Sequence, residues 1–138
     1  MAHVVIIGAS TGGLPAAYEI KELLGSKHEV TVVSNTDTFH FVPSNPWVAV
    51  GWRSRKDTSF KLEPYLAKKK IKLITTAAQE IKPDDKEIVL ADGKTLKYDY
   101  LVIATGPKLA FEEVEGLGGH GKRGPGLRHP EGGHGAQS

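Results

Sequence analysis

His3-Val4-Val5-Ile6-Ile7-Gly8-Ala9-Ser10-Thr11-Gly12-Gly13, continued by the apolar-periodic run Leu14 to Leu24, is the stretch that decides the fold. An apolar run of strand length that breaks at glycine and restarts with helical spacing reads as the first strand, turn and helix of a dinucleotide-binding βαβ unit. Gly8 lets the chain turn sharply off the strand. The backbone N–H groups around Ser10 to Gly13 then stand at a helix N-terminus, where they attract a pyrophosphate through hydrogen bonds and the helix dipole. Ser10 takes the place of the second glycine of Gly-x-Gly-x-x-Gly, so a Cβ stands where the backbone approaches the phosphates most closely. Its hydroxyl can itself donate to a phosphate. The competing reading is an ordinary strand-to-helix turn of any α/β protein.

Outward from this turn, the first helix is predicted from about Gly12 to Leu24, with Ala16, Ala17, Ile20, Leu23 and Leu24 on its apolar face. Pro15 falls in its first turn, and Gly25 ends it as a left-handed cap. Glu29 to Ser34 is the second strand. Its end, Ser34-Asn35, occupies the position from which such folds reach the adenosine ribose, with neutral groups where Asp or Glu usually stands. Asp37 is near enough to substitute, or is a solvated loop acid. Thr38 to Arg55 is an aromatic-rich, proline-broken loop that folds over something apolar, either a flat cofactor ring or the domain's own core. Lys56 to Lys70 is predicted as a short helix, and Ile71 to Thr75 as the third strand. Three short runs follow, around Ile81, Val89 and Leu96, separated by the turn signals Pro83-Asp84-Asp85 and Asp92-Gly93. They read as a small antiparallel meander. Tyr100 to Pro107 closes the unit as an apolar strand ending in Ala104-Thr105-Gly106, whose backbone can come close to a pyrophosphate; the competing reading is a buried strand ending in a turn.

The expected fold class is therefore α/β, a Rossmann-like parallel sheet with an antiparallel β-meander inserted after the third strand. A chain of 138 residues holds one core, and its net charge of +2 gives no argument for nucleic acid. With no apolar run near membrane-spanning length and no leader pattern, a cytoplasmic location is expected. The sequence contains no cysteine, which removes disulfides, thiolate metal sites and cysteine nucleophiles. From Gly116 to Ser138 the character changes: nine of 23 residues are glycine, three histidine and two proline. Such a stretch buries too little surface to offset its ordering entropy. It is predicted to be disordered, with its histidines an unstructured tract and no metal site. The domain boundaries expected are 1–115 for the sheet domain and 116–138 for this tail.

Together, Val4 to Ala17 (VVIIGASTGGLPAA), Phe41 to Trp52 (FVPSNPWVAVGW) and Tyr98 to Phe111 (YDYLVIATGPKLAF) resemble the flavin-binding start of the two-dinucleotide-domain flavoproteins, above all the sulfide:quinone oxidoreductase family. The resemblance implies an FAD-dependent enzyme that oxidises sulfide to sulfur or polysulfide and passes electrons to a membrane quinone. By position it implies that Gly8, Ala9, Ser10, Thr11, Gly12 and Gly13 hold the pyrophosphate, that Ser34 and Asn35 hold the ribose, and that Ala77 and Ala78 frame the adenine. Pro43 and its loop approach the isoalloxazine, while Ala104, Thr105 and Gly106 close around the cofactor's middle. It also implies redox cysteines, a second domain and a membrane-contacting region beyond this segment. The chain is thus expected to be a truncated or frameshifted portion, inactive alone, of a peripheral membrane flavoprotein. Alternative readings are a flavoprotein sulfide dehydrogenase or quinone-linked NADH dehydrogenase, and a nucleotide-binding module without catalysis.

Overall fold

The fold is built on a four-stranded parallel sheet whose strands lie in the spatial order Lys72–Thr75, Glu29–Ser34, His3–Ile7, Tyr100–Ile103, seen in a computed structural model that describes residues 1–107 and 110. Its strands are β1 (His3–Ile7), β2 (Glu29–Ser34), β5 (Lys72–Thr75) and β9 (Tyr100–Ile103). Helix α1 (Gly13–Leu24) connects β1 to β2. The hairpin ribbon β3 (Thr38–His40) with β4 (Ser59–Lys61), and the helices α2 (Asn45–Ala49) and α3 (Glu63–Lys68), fill the crossover from β2 to β5. The meander β6 (Ala78–Lys82), β7 (Glu87–Leu90) and β8 (Thr95–Lys97) then precedes β9. Parallel sheet and inserted meander both stand as the sequence pattern predicts.

The apolar residues Val4–Ile7 of β1 and Val30, Val32 and Val33 of β2 follow from burial on both sheet faces. Successive side chains of β1 point to opposite sides. Val4 and Ile6 pack with Val30, Val32, Ala17, Leu62, Leu66 and Ile71 on the helical side. Val5 and Ile7 pack with Val33, Ile88 and Leu90 on the meander side. The sheet is therefore the middle of three layers, and the meander does for one face what α1 and α3 do for the other. Register brings the carboxyl ends of the strands level: Ile7 pairs with both Val33 and Ile103, and Ser34 pairs with Thr75.

Three local expectations are corrected. No single helix spans Lys56 to Lys70, because Arg55–Thr58 forms a 3-10 turn, β4 takes Ser59–Lys61, and α3 begins only at Glu63. Ser54 and Asp57 close a capping box that starts that turn, and Pro64 sits in the first turn of α3, where its missing N–H costs nothing. Leu23 does not share the buried face of α1; it is 77% exposed, while Leu14 and Tyr18 pack inward instead. The segment from Thr38 to Arg55 is also not all loop, since its first residues form β3 and Asn45–Ala49 form α2. Gly25 does end α1, with φ +63°. The boundary at residue 115 and the Gly116–Ser138 tail lie outside the described residues.

Candidate functional site

A cleft of about 320 Å³ opens at the carboxyl ends of the parallel strands. This is the crevice at which open α/β sheets take their ligands, where strand order reverses on either side of β1. Five pieces of chain bound it: the exit of β1, the exit of β2, β3 with the turn that follows it, the corner between β5 and β6, and the exit of β9.

The β1 exit owes its shape to two glycines. Gly8 has φ +105°, and a Cβ there would overlap the Ala104 carbonyl oxygen and lie 2.7 Å from its carbon. Ladder hydrogen bonds hold both neighbours in place: Gly8 N–H donates to the Val33 carbonyl at 2.8 Å, and Ala104 N–H donates to the Ile7 carbonyl at 2.8 Å. Gly13 is the second requirement, for a Cβ on it would fall on the Gly8 carbonyl, so α1 can leave the sheet this closely only from a glycine. Gly12 carries no such demand; a Cβ there would meet only the Ala104 Cβ, at 3.8 Å. The tight positions are thus the first and third of the fingerprint. Ser10, in the second, lies exposed on the cleft wall.

Helix α1 has no side-chain cap. Its first internal bonds, Leu14 N–H to the Ser10 carbonyl and Ala16 N–H to the Gly12 carbonyl, leave the N–H groups from Ala9 to Gly13 without a backbone acceptor among the described residues. Unpaired donors at a helix N-terminus form an anion-binding turn.

On the β2 side, Ser34 is buried, and its Oγ accepts from Thr36 N–H at 3.2 Å, which leaves its hydroxyl hydrogen available to the cleft. Asn35 lines the cleft beside it. Thr36 and Thr38 also contribute, as do His40 and Val42, none of which the sequence pattern singled out. The signal was present in the alternation of β3, which sends Thr38 and His40 to one side and Phe39 into the core. Ala77 and Ala78 reach the cleft because β5 ends level with Ser34 and the chain turns there into the meander. Ala104 and Thr105 close the far wall. Among the predicted site residues, Thr11, Gly12, Gly13, Pro43 and Gly106 do not line the cleft, and Pro43 sits in the 3-10 turn Val42–Ser44 next to it.

Asp37 is directed elsewhere. Its carboxylate accepts from Lys61 Nζ at 2.5 Å and from Thr38 Oγ1 at 2.7 Å. Those bonds, Lys61's first, hold it below the usual carboxylate range. It lines a separate recess with Lys61 and Glu63. The aromatic segment divides between the two roles open to it. Phe39 joins the core and stacks on Phe60 with ring centroids 4.9 Å apart, whereas Phe41, Val42, Trp47, Val50 and Trp52 stay exposed. Among the described residues no cluster of His, Asp and Glu is arranged to hold a metal, and no helix is long and apolar enough to cross a membrane.

A family model described as pyridine nucleotide-disulphide oxidoreductase matches residues 2–131. The sulfide-quinone reductase of Aquifex aeolicus is 43% identical over 109 residues, covering 79% of this chain and 25% of that protein. Its crystal structure superposes with a TM-score of 0.77 at 42% identity, covering 80% of this chain and 26% of that one. The mitochondrial sulfide:quinone oxidoreductase of Dictyostelium discoideum is 31% identical over 114 residues, covering 83% of this chain and 25% of its own length. The chain therefore spans about a quarter of the length of these relatives.

Proposed function

The chain belongs to the pyridine nucleotide-disulphide oxidoreductase family, and from that premise we propose that its cleft holds the adenosine-diphosphate part of FAD in a flavoprotein that carries electrons from sulfide to quinone. The observation that carries the reading is the glycine cradle: Gly8 and Gly13 leave no room for a Cβ, and the donors at the head of α1 stand unpaired beside them. These residues fit a diphosphate. The N–H groups from Ala9 to Gly13 would hold its oxygens, with the Ser10 hydroxyl as a further donor. Ser34 and Asn35 would bond the ribose, and Ala77 and Ala78 would flank the adenine. Thr105 and Gly106 would cover the middle of the cofactor, and the turn carrying Val42 and Pro43 would approach its ring. Bound flavin supplies two-electron chemistry. The protein's part within these residues is to bind and orient.

Sulfide as donor and quinone as acceptor come to this chain from its similarity to the relatives named above. These 138 residues hold no cysteine, so a thiol that accepts sulfide sulfur is not among them. We propose accordingly that the 138-residue chain binds FAD weakly and does not oxidise sulfide by itself. The test is a titration of the purified chain with FAD, followed by quenching of flavin fluorescence, together with quinone reduction at saturating sulfide against a free-FAD control. Saturable binding without turnover above the control is expected. Absence of binding would remove the cofactor assignment, and turnover that tracks the protein would remove the claim of inactivity.

A further inference from the structure

Among the described residues the ribose end of the cleft carries no acid or base, and that bears on which nucleotides it admits. In dinucleotide folds an acid at the end of the second strand bonds the ribose hydroxyls and repels a 2′-phosphate. Here the corresponding wall is Ser34, Asn35 and Thr36, continued by Thr38. No Asp, Glu, Lys or Arg is found among the described residues that line the cleft, whose other polar side chains are hydroxyls, the Asn35 amide and the His40 imidazole. The nearest acid in sequence, Asp37, lines a neighbouring recess and not the cleft, and it is held there in two ways. The Asp37 backbone carbonyl is fixed by Leu62 N–H at 2.8 Å. Its carboxylate is neutralised by Lys61 inside the neighbouring recess.

We propose that this cleft accepts 2′-phosphorylated adenine nucleotides as readily as unphosphorylated ones, because none of the described residues at the ribose end carries a charge to distinguish them. The inference rests on reading the cleft as an adenosine site and adds a ligand class to it. A 2′-phosphate brings close to two negative charges at neutral pH. Around Ser34 and Asn35 it meets hydroxyl and amide dipoles that can donate to it, at a mouth open to water.

ADP-ribose and its 2′-phosphate differ only in the group at issue, and their affinities can be measured by calorimetry at pH 8, where an ordinary histidine is neutral. The two dissociation constants are expected within about threefold of each other, since water screens what charge remains. Asn35→Asp places a carboxylate at the ribose end and is expected to weaken the phosphorylated ligand by about tenfold relative to its partner, the scale of a few like charges at contact distance in water. A parent that prefers ADP-ribose by tenfold or more overturns the proposal, as does an Asn35→Asp variant with an unchanged ratio. Failure of both ligands to bind overturns it together with the adenosine reading, whereas binding of ADP-ribose alone leaves that reading standing. Circular dichroism of the variant separates a change of selectivity from a loss of fold.

Discussion

Replacing Gly8 with alanine should damage the fold itself, while the same change four residues on at Gly12 should not. At Gly8 the backbone has φ +105°, a conformation that costs an L side chain about 1–3 kcal/mol. The new Cβ must in addition displace the Ala104 carbonyl, which cannot retreat without stretching the bond from Ala104 N–H to the Ile7 carbonyl. Overpacking of this sort costs about 1–3 kcal/mol more. The sum, about 2–6 kcal/mol, is a large part of the 5–15 kcal/mol that holds a domain together. For a body of this size it corresponds to a fall in Tm of at least about 8 °C. Gly12 has φ −93°, and a Cβ there would make only an ordinary contact, so Gly12→Ala should stay within about 1 kcal/mol of the parent. Thermal unfolding followed by circular dichroism compares the two directly. Equal midpoints for both variants would refute the claim that contact between the β1 turn and the β9 exit shapes this site.

Ile6→Ala, at a side chain with no exposure between sheet and helices, should cost about 2–5 kcal/mol by denaturant titration, whereas Leu23→Ala should fall within about 0.5 kcal/mol of the parent. Ser34→Ala removes the acceptor of Thr36 N–H and a donor to the cleft, so it should lower stability by about 1 kcal/mol and weaken adenosine nucleotides in calorimetry. Acidification should lower the melting temperature. Hydrogen bonds from Lys72 to Glu29, Lys61 to Asp37, Ser54 to Asp57 and Lys94 to Asp92 hold these carboxyls below their ordinary values. Groups with depressed folded-state pKa stabilise above their unfolded values and lose that contribution as pH falls through the folded ones. Melting temperature should therefore be level above about pH 5 and decline below about pH 4, and Lys61→Met should flatten part of that decline.

The parallel sheet was legible because its signal is the strongest a short sequence carries. β1 is buried on both faces and so reads as an unbroken apolar run, Val4 to Ile7, ended at Gly8 by a turn and resumed with helical period, and β2 repeats a valine-rich run after Gly25. The meander was legible through its turns at Asp84-Asp85 and Asp92-Gly93. What could not be read was the crossover between β2 and β5. Its pieces are three to six residues long, too short for any period to register, and the β3–β4 pairing joins residues about twenty apart through register alone. The apolar spacing of Leu62, Tyr65 and Leu66 suggested one longer helix, because α3 supplies that spacing after the chain has already formed a turn and a strand. At the site, Gly8, Ser34 and Ala104 could be placed from position in the fold, and Ala77 only from the family resemblance. Thr38 and His40 were harder, since the alternation that turns them to the cleft spans only three residues and shows itself only once β4 pairs with them.

Backbone amide shifts in a nitrogen-15 correlation spectrum, recorded as ADP is added to the labelled chain, test the central claim most directly. Saturable shifts are expected, confined to residues 8–13, 34–36, 77–78 and 104–105 and largest at the head of α1, with the Asp37–Lys61 recess unmoved. Shifts centred on that recess or on the exposed aromatic turn, with the Gly8–Gly13 amides unchanged at saturation, would contradict it.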